Sequence, residues 1–229
     1  MKTIGILGGL SPESTVYYYQ YLTRKYIEHF SDYGYPKIII YSVNFQKYID
    51  WGKSDNWDLI ADDMVSVINS LHSAGAEFAI IATNTMHYVY DLVAAKTKIP
   101  ILSLVEAVSS EAMKLGITKV GLLGTKFTMQ HDFYPKVLNK VGIETLVPKE
   151  NEQKIVDDII FYELTKGIFK EDSVKKYLDV IDSLVSHGVD GVILGCTEIP
   201  LLISQEDVEI PVLDSSRIHA EAAFNYALE

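Results

Sequence analysis

A chain of 229 residues, 48% hydrophobic and 22% charged, has the balance of a soluble globular protein and the length for one large core or two smaller ones. A net charge of −11 with no basic cluster argues against a nucleic-acid partner. The single cysteine, Cys196, excludes an intrachain disulfide and a cysteine-based zinc cluster. No stretch reaches the roughly 20 apolar residues of a membrane helix. Met1-Lys2-Thr3-Ile4 runs into a strand pattern without a signal-peptide cleavage site, which predicts a cytoplasmic protein.

In chain order, apolar strand-like runs fall at Thr3–Leu7, Lys37–Val43, Phe78–Ala82 and Ile99–Leu104. A second set follows at Lys119–Leu123, Glu144–Val147, Gly191–Leu194 and Ile210–Leu213. Amphipathic stretches such as Trp57–Ala74, Glu106–Leu115 and Ser173–His187 separate them. Alternation of this kind predicts an α/β fold with parallel sheets covered by helices.

The two sets repeat each other. Ile4-Gly5-Ile6-Leu7-Gly8 matches Val120-Gly121-Leu122-Leu123-Gly124, Ala74-Gly75-Ala76-Glu77 matches His187-Gly188-Val189-Asp190, and Ile99-Pro100-Ile101-Leu102 matches Ile210-Pro211-Val212-Leu213. The repeat predicts two similar parallel-sheet domains related by a pseudo-twofold axis, with an active site in the cleft between them. The Ile-Pro segments sit at equivalent places, so the chain is expected to cross over near 100 and return near 211. That gives one domain of residues 1–100 plus 212–229 and a second of residues 101–211.

The same offset carries Thr83-Asn84-Thr85 onto Cys196-Thr197-Glu198. Each triplet follows a buried strand, at the carboxyl end where open α/β sheets bind ligands. Thr83 and Cys196 are therefore expected to face each other across one cleft, a symmetric arrangement suited to chemistry on both faces of one carbon. Two further strand-end loops should line it. In Gly8-Gly9-Leu10-Ser11-Pro12, Ser11 reads as an N-cap with Pro12 at the first helical position, and backbone donors around Gly9 and Leu10 can approach a ligand. Gly124-Thr125-Lys126 is its repeat partner. The first loop lacks nucleotide-binding glycine spacing. Helix N-termini with Ser, Thr and Asn side chains hold carboxylates without many cations, and Asn84, Thr85 and Thr197 read as caps of following helices. Lys166 is a candidate cation, although a solvated surface lysine is the commoner outcome. No histidine pair has metal-ligand spacing. His87, three residues past Asn84, falls near the cleft, where a core or surface histidine is the more frequent reading. The tyrosines at 17, 18, 19 and 21 suit core packing or a subunit interface.

Several of these segments resemble the aspartate/glutamate racemase family over nearly the whole chain. They are Ile4-Gly5-Ile6-Leu7-Gly8-Gly9, Thr83-Asn84-Thr85-Met86-His87, Leu122-Leu123-Gly124-Thr125, Thr128-Met129, Asp132-Phe133-Tyr134, Gly195-Cys196-Thr197-Glu198-Ile199 and Asp214-Ser215-Ser216. The resemblance implies a two-domain α/β enzyme, commonly a homodimer, that works without pyridoxal phosphate, another cofactor or a metal. In the family two cysteines usually flank the substrate Cα. Here Thr83 stands at the first cysteine position and only Cys196 is kept. A free thiol with a pKa near 8.5, lowered by a helix N-terminus, is expected to be a thiolate base at neutral pH. A threonine hydroxyl is far too weak an acid to mirror it unaided.

The resulting expectation is a racemase of aspartate and possibly glutamate, with Cys196 as the acid–base residue and Thr83 on the opposite face. Leu10, Ser11, Asn84, Thr85, Thr125, Thr197 and Glu198 hold the dicarboxylate amino acid, with Lys166 as a carboxylate partner. The alternatives are decarboxylation or cis–trans isomerisation of a small diacid through Cys196 alone, and a dicarboxylate-binding protein without catalysis.

Overall fold

The computed structural model describes all residues from Met1 to Glu229. The chain divides into two compact units, residues 1–104 with 219–229 and residues 105–218. In the first, β1 (Ile4–Gly8), α1 (Pro12–Phe30), β2 (Ile38–Ser42), α2 (Phe45–Lys53), α3 (Trp57–Ser73), β3 (Phe78–Ile81), α4 (Tyr90–Ala94) and β4 (Ile101–Leu102) follow one another. The second runs through α5 (Leu104–Lys114), β5 (Lys119–Gly124), α6 (Lys126–Gln130), α7 (Phe133–Leu138), β6 (Glu144–Leu146), α8 (Glu150–Tyr162), α9 (Glu171–Ser186), β7 (Gly191–Gly195) and β8 (Val212–Asp214). The last helix, α10 (Ser215–Leu228), begins in the second unit and ends in the first.

Each unit contains a four-stranded, fully parallel sheet, and the two orders are the same: β2-β1-β3-β4 and β6-β5-β7-β8. The α/β class and the repeated architecture read from the sequence are thus present in the structure. The inner strands β1, β3 and β7 are buried at every residue, because helices cover both faces of a parallel sheet. In the first unit one face packs Leu7, Ala79 and Ile81 against Ile60, Met64, Val67, Ile68 and Leu71 of α3, which recur at helical spacing. The other face packs Ile4, Ile6, Phe78 and Ile80 against Tyr18 and Leu22 of α1 and Ala220, Ala223 and Phe224 of α10. In the second unit Val192 and Leu194 meet Val156, Ile159 and Ile160 of α8 and Tyr177, Val180, Ile181 and Leu184 of α9. Full burial of each such side chain contributes roughly 1.5–3 kcal/mol before entropy is charged against it.

The chain passes between units at Leu104/Val105 and at Ile218/His219, later than the crossings expected near 100 and 211. Sheet pairing gives the reason. β4 stays with the first sheet through Ala79↔Ile101 and Ile80↔Leu102, and β8 stays with the second through Ile193↔Leu213 and Leu194↔Asp214. Each Ile-Pro segment therefore leads into the last strand of its own sheet, and each crossing follows in the first turn of a helix.

Candidate active site

In the first unit the candidate residues gather on two neighbouring loops, because β1 and β3 are adjacent and in register, with Leu7 opposite Ile81. Ser11 caps α1, its hydroxyl accepting from the Ser14 N–H at 3.3 Å, with Pro12 in the first turn as expected. Gly9 has φ +85, and a Cβ there would lie 2.7 Å from both the Val43 nitrogen and oxygen, so only glycine fits. The Gly9 N–H donates to Thr15 Oγ1 at 2.8 Å, and that hydroxyl donates to the Ser11 carbonyl at 3.0 Å. Ser14 Oγ donates to the Ala82 carbonyl at 2.7 Å, tying the first loop to the one carrying Thr83. Leu10 and Asn84 are buried, and Ser11, Thr83 and Thr85 are half-buried.

The expected caps after β3 are absent. Residues Thr85–Val89 form a short 3₁₀ turn, and the Asn84 side chain makes no cap hydrogen bond. Asn84 already has αR backbone angles, whereas a capping side chain needs the extended angles that Ser11 adopts.

In the second unit Gly124 and Gly195 pair at the carboxyl ends of β5 and β7, which brings Thr125 and the Cys196 triplet onto neighbouring loops. Thr125 is the N-cap of α6, its hydroxyl accepting from the Thr128 N–H at 3.3 Å. Cys196 Sγ donates to Glu198 Oε2 at 2.9 Å, and Thr197 Oγ1 donates to the same oxygen at 2.7 Å. Glu198 is buried, and Cys196 and Thr197 are partly exposed. Thr197 thus spends its only O–H on Glu198, so toward a carboxylate ligand it has no proton to offer while that contact holds. Lys166 is exposed after α8, with Nζ 5.6 Å from the centre of the Tyr162 ring. It belongs to the α8–α9 connection.

The electrostatics of Cys196 correct the sequence expectation of a resting thiolate. Burial of the thiol pushes its pKa well above the ordinary value, and the neighbouring Glu198 charge pushes it further. The backbone groups of Glu198 and Thr197 pull the other way without prevailing. The helix terminus invoked to lower the pKa is missing, because Cys196 is followed by a three-residue 3₁₀ turn, Ile199–Leu201, too short for a useful macrodipole. These effects favour the protonated thiol, which is hydrogen-bonded to Glu198. Glu198→Gln removes the charge and leaves an amide that still accepts. Its iodoacetamide alkylation, followed against pH, is expected to show thiolate forming at lower pH than in the wild type. An unchanged profile would mean that Glu198 does not govern the thiol.

His87 takes the core reading that the sequence favoured, and the roles of His219 and Asp214 emerge only in the structure. His87 is buried with both ring nitrogens engaged, and His219 is buried likewise. The available signal was the i+4 spacing of His87 from Thr83, which lets a helical-turn side chain reach back to that carbonyl. Asp214, prominent in the closing Asp214-Ser215-Ser216 motif, is a cap: Oδ1 accepts from the Ser216 and Arg217 N–H groups at 3.0 Å each.

Comparison with known proteins places the chain. The profile of the Asp/Glu/Hydantoin racemase family matches residues 7–223. The broad specificity amino-acid racemase RacX of Bacillus subtilis is 27% identical over 226 residues, spanning 96% of this chain and 95% of that protein. A crystal structure of a candidate Asp/Glu racemase from Yersinia pestis superposes with a TM-score of 0.95 at 39% identity, covering 100% of both chains. An aspartate racemase homologue from Pyrococcus horikoshii gives a TM-score of 0.89 at 41% identity, again over 100% of both chains. With its matched strand-end loops, its thiol-bearing triplet and this family match over nearly its whole length, the chain belongs to the Asp/Glu/hydantoin racemase family of enzymes.

Proposed function

We propose that this enzyme racemises aspartate, with glutamate as a second substrate, by proton transfer at Cα and without a cofactor. The observation that carries the reading is the equivalence of two positions. In two sheets of the same strand order, Thr83 follows β3 and Cys196 follows β7. In this reading Cys196 serves one face of Cα and Thr83 the other. The acidic preference is supported by the description of the Pyrococcus relative as an aspartate racemase homologue and by the absence of a carboxylate other than Glu198 among the candidate side chains.

Cys196 as a thiol is set to deliver a proton to a Cα carbanion. To act as base it must first lose its proton, and the Glu198 carboxylate at 2.9 Å is the acceptor at hand. Burial and the Glu198 charge both oppose that loss, so the protonated thiol is the favoured form and proton delivery the easier direction. Substrate carboxylates are expected to take the backbone donor of Leu10 beyond the engaged Gly9 N–H, with Ser11, Asn84, Thr85 and Thr125 as further partners and Lys166 as a cation. Thr83, a weak acid, hands its proton on through water or only holds the substrate.

The test is deuterium wash-in at Cα in heavy water, starting separately from L- and D-aspartate. A racemase incorporates solvent deuterium from both enantiomers and drives either to a one-to-one mixture. Because free enantiomers are equal in energy, kcat/KM must match in the two directions, and any asymmetry appears in kcat and KM separately. Release of carbon dioxide from a small diacid without wash-in would replace this reading with decarboxylation, and neither signal would leave a binding protein.

A further inference from the structure

We propose that His87 is a positioning residue, which holds the loop carrying Thr83 to the end of β4, where the chain leaves the first unit. The inference rests on the assignment of Thr83 to the site.

The hydrogen bonds fix the role of each ring nitrogen. The Leu104 N–H donates to His87 Nε2 at 3.0 Å. A backbone N–H only donates, so Nε2 carries no proton and Nδ1 carries it. Nδ1–H then donates to the Thr83 carbonyl at 2.9 Å. One neutral ring therefore ties the backbone of Thr83 to the backbone of Leu104, the last residue of this segment of the first unit.

The surroundings show why a side chain is needed there. β4 has two residues and pairs with β3 only through Ile101 and Leu102. Side chains bind the rest of this short segment. Tyr90 donates its hydroxyl to the Ile101 carbonyl at 2.8 Å and stacks on His87 at 5.7 Å with an interplanar angle of 8°. His219, the first residue of the returning segment, contacts the Leu102 carbonyl through Nε2 at 3.0 Å. A carbonyl only accepts, so Nε2 is the protonated nitrogen of His219, and Nδ1 accepts from the Tyr18 hydroxyl at 2.8 Å. The His87 and His219 rings meet edge to face at 5.9 Å. Two buried rings thus hold the last residues before one crossing and the first residue after the other, and His87 extends that hold to Thr83. A loop released from it is expected to misplace the Thr83 hydroxyl, and a displacement of about 1 Å at a reacting group costs up to ~100-fold in rate.

The experiment separates the two contacts. His87→Asn keeps a donor near the Nδ1 position, and His87→Gln keeps an acceptor near the Nε2 position. Wash-in is measured from each enantiomer for both variants, for Thr83→Val and for the His87→Gln/Thr83→Val double variant. His87→Gln is expected to slow wash-in from the Thr83-facing enantiomer by about tenfold. The opposite face should change by less than about threefold, and His87→Asn, which loses the link to Leu104, should slow the Thr83-facing enantiomer as well. On the Thr83→Val background, His87→Gln should add nothing further, as required of a residue acting through Thr83. Equal slowing of both faces, or full additivity in the double variant, overturns the proposal and leaves the Thr83 reading intact. A Thr83→Val variant with both rates unchanged instead removes Thr83 from the chemistry, and the positioning role with it. If the His87 variants do not fold, amide hydrogen exchange of the wild type decides. Succinate is expected to slow exchange at the Leu104 N–H, and no change there overturns the coupling.

Discussion

Cys196→Ser is expected to lower racemisation by roughly 10²–10⁴-fold while leaving the melting temperature within a few degrees of wild type. Serine keeps the size and the hydrogen bond to Glu198, yet its hydroxyl is a far weaker acid than a thiol. It can neither yield a proton to Cα readily nor persist as an anion at neutral pH. Serine is slightly smaller than cysteine at a partly buried position, so the swap is sterically mild and fold and chemistry separate cleanly. Iodoacetamide should inactivate the wild type slowly at neutral pH, because burial and Glu198 keep the thiol protonated, and faster as pH rises. Aspartate should protect against it. Retained activity in the serine variant would remove Cys196 from the mechanism.

The second large effect is acid destabilisation of the first unit. Burial lowers the pKa of His87 from 6.5 to about 4, against smaller opposing contributions from the Thr83 and Asn84 backbone. Burial and, second, the proximity of His87 lower that of His219 to about 3 against the opposing Leu102 carbonyl. The groups facing these rings are Tyr18, Tyr90 and each other. Both folded values lie below the unfolded value, so below pH 6.5 the unfolded chain binds more protons than the native one. Stability is therefore full above pH 6.5 and falls as pH drops toward 4 and then 3. At pH 5 each histidine removes roughly 2 kcal/mol relative to pH 7.5, about 4 kcal/mol for the pair. For a chain of this size that corresponds to a drop of about 8–16 °C in Tm. His219→Asn should flatten the pH dependence between 5 and 7 by about half, whatever it does to stability at pH 7.5. A slope identical to wild type would show that other groups carry the acid sensitivity. Asp214 works in the opposite sense: burial raises its pKa despite the Arg217 and Ser216 N–H groups, so it favours the fold at low pH.

Asp190 illustrates how far local pattern reaches. It matched Glu77 in the repeat, and in the structure both acids perform related tasks. Burial pushes the Asp190 pKa up, but donors from Thr118 and Lys119 outweigh it and lower it. Glu77 accepts from the Thr3 N–H at the matching place before β1. Such positions are legible because the same short-range geometry, a turn entering a parallel strand, selects the same residue types twice.

What the sequence determined by itself was periodic or repeated. Continuous apolar runs marked strands covered on both faces, the duplicated glycine and Ile-Pro segments marked two sheets of one topology, and Ser11-Pro12 and Thr125 marked helix starts. These follow from backbone sterics and burial, which act within a few residues. Pairing across long sequence separations was left to the tertiary structure. Ile101 and Leu102 joined the first sheet because β3 lay beside them, moving the crossing to Leu104. Cys196 became a protonated thiol, rather than a thiolate, because folding buried it beside Glu198 and followed it with a 3₁₀ turn in place of a helix. His87 and His219 read as unremarkable residues until Leu102, Leu104 and Thr83 came within 3.0 Å of their rings. Protonation state and tautomer depend on desolvation and on which donor or acceptor arrives from elsewhere in the chain, and neither is written in local order.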